Sequence, residues 1–98
     1  MAEPNPVLGF SIVKDKKYKR DCEAYRNMIK RILNTELDIV GWPERSPLLH
    51  APLHRKCEGY LHARVDQNLR ILYKPDYKDK IIFLERLLNH REMERKCD

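Results

Sequence analysis

The chain has 98 residues, 42% of them hydrophobic and 36% charged, with a formal charge of +5. That length holds one domain with one small core, read here as residues 1–98 with a loose arm at 1–7. The composition is too apolar for a disordered chain, and runs such as "IIFL" fall far below the ~18 residues of a spanning helix, so a membrane protein is excluded too.

In chain order, "MAEPNP" is polar and holds two prolines, which makes it an arm. It has no basic start and no long apolar segment, so no secretion signal is expected and the protein is placed in the cytoplasm. "LGFSIV" is short, β-branched and aromatic, the pattern of a first strand. From Lys16 the period changes. Tyr18, Cys22, Tyr25, Ile29 and Ile32 are spaced by four, three, four and three, which predicts one helix face running to Leu33 or Leu37. Asp15 is placed to cap it, and Gly41 and Pro43 bar its continuation.

"GWPERSPLLHAPLHRKCEG" follows, a long connection with three prolines and two glycines. Long ordered connections in small domains are often functional. Strict alternation then begins. Leu61, Ala63 and Val65 point one way, and Tyr60, His62, Arg64 and Asp66 the other. "DQN" is a turn, "LRILYK" a strand, "PDYKDK" a turn and "IIFLERLL" a strand. Short links between strands imply an antiparallel meander. The expected fold class is α+β: a small antiparallel sheet with a long helix and one or two shorter helices packed on one face, leaving the other face to His62 and Arg64. "NHREMERKCD" closes the chain as a short turn or helix.

Residues 45–74 hold six cations, Arg45, Arg55, Lys56, Arg64, Arg70 and Lys74, against Glu58 and Asp66. Such a patch favours a polyanion or an acidic protein partner. Three of the four histidines lie in the same region. His50, His54, Cys57 and His62 have ligand-type side chains, but no paired cysteines and no HExxH spacing, so no metal is assigned. Cys22, Cys57 and Cys97 are odd in number and widely spaced, and three reduced thiols are expected.

Histidine exchanges protons near neutral pH, and RNA carries its own nucleophile in the 2′-hydroxyl. His54, Arg64 and His90 could therefore supply a base, a cation on the phosphate and an acid, if the fold brings them together. Arg55, Lys56, Arg70 and Arg86 could clamp phosphates, with His62 and Asn68 beside them, and Tyr60 or Trp42 could stack a base.

The runs "GYLHARVDQNLRILYK" and "KIIFLERLLNH" resemble the RelE/ParE superfamily of toxins from toxin–antitoxin pairs. The nearest resemblance is to its YafQ-like branch, through Pro52-Leu53, Gly59-Tyr60, Val65, Leu69, Ile71-Leu72-Tyr73-Lys74 and His90. The resemblance implies a small curved sheet with a concave catalytic face, mRNA cleavage on the ribosome without a cofactor, and a neutralising antitoxin that carries the pair onto operator DNA. Arg64 matches the family strand position that faces the phosphate, His90 the C-terminal catalytic histidine, and His50 or His54 a further loop histidine. Asn68, Leu69 and Glu94 stand where that branch often has an acidic residue, a tryptophan and an aromatic residue. Those departures keep open a ParE-like toxin acting on DNA gyrase, or an inactive binding module. Neither reading involves a membrane.

Overall fold

The computed structural model describes residues 10–41, 57 and 59–97. The loose arm and most of the long connection, with Trp42, His50, His54, Arg55 and Lys56, lie outside the described residues.

The elements are β1 (Ser11–Lys14), α1 (Lys16–Ala24), α2 (Ile29–Gly41), β2 (Leu61–Arg64), β3 (Leu69–Asp76), β4 (Ile81–Asn89) and α3 (His90–Cys97). They form one four-stranded sheet in the order β1-β4-β3-β2. The three later strands are the expected antiparallel meander, but β1 runs parallel to β4, so the sheet is mixed. The chain leaves β1 at one edge of the sheet and returns as β2 at the other. Helices α1 and α2 lie between these two strands in the chain, as strands at opposite edges of a sheet cannot be joined by a hairpin.

Asp15 caps α1, its side chain accepting from the Lys17 N–H at 3.0 Å. The single helix expected from residue 16 onward is interrupted. At Tyr25 the backbone departs from helical geometry, and a 3₁₀ turn at Arg26–Met28 precedes α2. A 3₁₀ turn winds about 120° per residue against 100° in an α-helix, so the buried stripe rotates. Met28 therefore packs on the core, and Ile29, expected inside, is 41% exposed.

Side chains alternate across a sheet, so register sorts the two faces. Ala63, Ile71 and Leu87 form one row, and Leu61, Tyr73 and Leu84 another. Most of these join Tyr18, Ile32 and Ile39 in the main core, which places α1 and α2 on this inner face. A buried carboxylate sits among them and is fully engaged. Glu36 accepts from the Tyr18 hydroxyl at 2.5 Å and pairs with Lys14 at 3.2 Å. Burial first, and Glu36 second, push the Tyr18 phenol well above its usual range.

The other rows, His62–Leu72–Arg86 and Arg64–Arg70–Leu88, point outward. Here α3 covers part of the sheet, with Met93 and Cys97 packed on Leu72, Leu88 and Cys57. The expectation of helices on one face is thus corrected: α3 lies opposite the other two. Its polar sequence hid this, because only two of its residues are buried. The expectation of three reduced thiols is also corrected. Cys57 and Cys97 form a disulfide 40 residues apart, and Cys22 alone is free. Closing a loop of that length restricts the unfolded chain by about 4 kcal/mol in the chain-entropy model.

Candidate active site

The outer face is set by the β2–β3 turn and by a bulge where the β3–β4 register shifts between Leu72 and Tyr73. Asp66 organises the β2–β3 turn, its Oδ1 accepting from the Asn68 N–H at 2.8 Å and the Leu69 N–H at 2.7 Å. Those two bonds hold the Asp66 carboxyl below its usual range. The turn fixes the register so that Arg64 stands directly opposite Arg70. Like charges facing each other across a ladder are destabilising.

Arg70 is the more constrained of the two. It is 6% exposed, while Arg64 is open to solvent. Its Nη2 donates to the Gln67 carbonyl at 3.5 Å, and its Nε has no hydrogen-bond partner among the described residues. Burial first, then the Arg64 charge, pull the Arg70 guanidinium below the usual arginine value, while Asp66 acts in the other direction. A half-satisfied buried cation beside a second cation lowers its energy by receiving an anion.

His62 lies two residues from Arg64 on the same face, opposite Leu72, and is 7% exposed. Its burial leaves little of the ring to touch RNA directly. Asn68 is exposed in the turn below Arg64. Tyr60 is half-buried against the second core, with the Lys74 ammonium 5.5 Å from its ring centroid.

His90 begins α3. Asn89 caps the helix reciprocally: its Oδ1 accepts from the Glu92 N–H at 2.7 Å, and Glu92 Oε1 accepts from the Asn89 N–H at 3.0 Å. The residue before His90 pairs with Leu69, and Leu88 pairs with Arg70, so His90 stands at the Arg64–Arg70 end of the sheet. Its imidazole is 54% exposed, and Nε2 lies 3.2 Å from Glu94 Oε2.

Arg86 has a different occupation from the phosphate clamp expected of it. Beyond Leu84, β1 no longer covers the edge of β4. Asp21 of α1 fills that position, taking the Leu87 N–H at 2.9 Å and the Arg86 guanidinium at 2.7 and 3.2 Å. The Asp21 bond raises the Arg86 pKa. Its charge is committed to holding α1 on the sheet.

The structure thus brings His62, Arg64 and Arg70 to one face, with Asn68 in the adjoining turn and His90 at the same end of the sheet, while His50, His54, Arg55 and Lys56 lie outside the described residues. Three partners escaped the sequence reading. Asp21 and Glu94 each share a basic helix with a second acid, Glu23 and Glu92, so composition does not single them out, and Cys97 pairs with a residue 40 positions away. The Arg64–Arg70 juxtaposition was available from "ARVDQNLR", since the three-residue turn "DQN" sets Val65 opposite Leu69 and hence Arg64 opposite Arg70. The set His50, His54, Cys57 and His62 loses its only thiolate, because Cys57 is in a disulfide. Among the described residues no group of three ligand-type side chains could hold a metal. No helix among them is long and apolar enough to cross a membrane.

No protein-family model matches the chain, and no curated protein matches it by sequence. Solved structures do. A histidine-to-glutamine variant of YafQ from E. coli superposes with a TM-score of 0.70 at 18% identity, over 86% of this chain and 97% of that one. The chain has the fold of the RelE/ParE-type toxins. The RelBE2 toxin–antitoxin complex of Mycobacterium tuberculosis gives a TM-score of 0.71 at 19% identity, over 84% of this chain and 99% of its own. A metal-bound toxin from Helicobacter pylori gives 0.72 at 18%, over 86% and 98%. The YafQ-like architecture expected from the strand motifs therefore holds across the sheet and its helices.

Proposed function

We propose that this chain is the toxin of a toxin–antitoxin pair, an endoribonuclease that cuts mRNA on the ribosome. The observation that carries the reading is the opposed pair Arg64 and Arg70 on the sheet face away from α1 and α2. Retaining two facing cations, one of them buried, costs stability, and a bound phosphate offsets that cost. The resemblance of the strand motifs to the RelE/ParE toxins implies the substrate class, and the likeness to solved toxin structures supports the fold on which that resemblance rests.

In this reading Arg64 and Arg70 hold the scissile phosphate. The 2′-hydroxyl of the preceding ribose loses its proton to a base and attacks phosphorus. Negative charge grows on the phosphorane oxygens, where the Arg64 guanidinium stabilises it. The 5′-oxygen then leaves with a proton from an acid, giving a 2′,3′-cyclic phosphate and a 5′-hydroxyl. His90 is one of the proton-transfer groups, its ring oriented by Glu94, and His54 or His50 is the other. Arg55, Lys56 and Asn68 hold flanking nucleotides. The RNA supplies the nucleophile, so the scheme uses side chains alone.

The partner is a cognate antitoxin of acidic or amphipathic character, through which the complex contacts operator DNA. Ile29, Leu33 and Leu37 stand exposed at four-residue intervals along α2, an apolar stripe of the kind a protein partner covers.

A ribosome-programmed cleavage assay tests the proposal. Wild-type protein should cut the message, and His90→Ala should cut it about 10²-fold more slowly. Inhibition of gyrase supercoiling without message cutting would overturn the ribonuclease reading in favour of a ParE-like toxin.

A further inference from the structure

Helix α3 has eight residues, and six of them are exposed. Only Met93 and Cys97 are buried, at 3% and 8% exposure, on the patch formed by Leu72, Leu88 and Cys57. Helices this short do not hold their shape alone in water. Beyond the cap at Asn89, two side chains therefore fix α3 to the sheet, and one of them is bonded covalently. The other end of that bond is also well placed. Cys57 is 2% exposed and opens a turn closed by the Tyr60 N–H on the Cys57 carbonyl at 2.9 Å. Gly59 occupies that turn at φ +90°, a conformation glycine adopts freely. The His90–Glu94 contact spans one helical turn, so it exists only while this part of α3 is helical.

We propose that the Cys57–Cys97 bond is a redox latch: formed, it holds α3 and His90 on the outer face, and reduced, it releases the helix and weakens the site. The coupling to cleavage rests on the ribonuclease reading above, whereas the latch itself does not. The step is thiol–disulfide exchange with a small dithiol reductant. Its thiolate attacks Cys97 Sγ at the last turn of α3, the Cys57–Cys97 bond breaks, and Cys57 leaves as a thiolate that takes up a proton. The second thiol of the reductant then displaces Cys97 and closes its own disulfide. Two electrons and two protons pass to the protein, and a disulfide oxidant reverses the step. Cys22 stands apart, half-buried on α1 beside Tyr18, and serves as an internal reference.

The test compares the full chain before and after dithiothreitol. Alkylation under denaturing conditions should label one cysteine before reduction and three after it. Amides of residues 93–97 should exchange with solvent at least tenfold faster in the reduced protein, while those of α1 stay unchanged. A Cys57→Ser/Cys97→Ser variant should exchange like the reduced protein and ignore dithiothreitol, and message cutting should fall severalfold in both. Three labelled cysteines in protein purified without reductant, or equal α3 exchange in the two states, would overturn the latch. Faster exchange with unchanged cutting would overturn its coupling to the site. Absence of cutting from both forms would overturn the ribonuclease reading, leaving exchange to decide the latch.

Discussion

The two faces of the sheet are built on different principles. On the inner face ten buried residues, from Tyr18 to Leu87, pack as one cluster under α1 and α2, and the one buried carboxylate there, Glu36, is matched by a hydroxyl and an ammonium. On the outer face five buried residues pack under α3, two of them joined as a disulfide, beside two arginines that repel each other. The inner face is made of groups that satisfy one another. The outer face keeps the buried Arg70 Nε without a hydrogen-bond partner among the described residues, and a covalent bond ties its helix to Cys57. A buried cation only partly satisfied within the chain is lowered in energy by an anion, which is what the proposed phosphate would supply.

That contrast can be broken at several points. The largest expected effect is on the outer helix: opening the disulfide by Cys97→Ala should cost up to about 4 kcal/mol, read as a lower denaturant midpoint. Little change would show that apolar contacts alone secure α3. Next is the inner core, where Ile71→Ala should cost about 3 kcal/mol, because Ile71 is fully buried and its neighbours are held by the sheet. A similar truncation of exposed Leu37 should cost almost nothing.

Arg70→Met should sharpen the contrast from the other side. It removes a buried like charge while keeping the stem, so thermal stability should rise by about 0.5–1 kcal/mol as RNA binding falls. A drop in stability would mean that the Gln67 contact outweighs the repulsion. An effect of similar size, but dependent on pH, is expected at Asp66. Its folded-state pKa is depressed, so its stabilising charge is present above the unfolded value and is lost as pH falls through the folded one. The difference between wild type and Asp66→Asn should be about 0.5–1 kcal/mol at neutral pH, after solvent screening, and should close below pH ~4.

Much of the sheet was legible in the residues. Alternation located β2, β3 and β4, and Asp15 announced the start of α1, because period and capping are local properties. The break at Tyr25 was hidden, since "EAYRNM" has neither glycine nor proline to mark it. The position of α3 rests on two buried side chains in a charged segment, too few to set a period. The disulfide, and the Asp21–Arg86 bond across 65 positions, are tertiary facts that no window of sequence contains. In the candidate site, Arg64 and His90 were proposed from motif positions. The burial of Arg70 and His62 and the diversion of Arg86 emerged only once the strands were packed.

The central claim is that the Arg64–Arg70 pair exists to hold a phosphate, and cleavage by Arg64→Ala tests it most directly. In a ribosome-programmed assay the variant should cut message about 10²-fold more slowly, about 2.7 kcal/mol of transition-state stabilisation, while its melting temperature stays at or above that of the wild type. A variant that cuts at the wild-type rate, or one that loses activity only because it unfolds, would contradict the account.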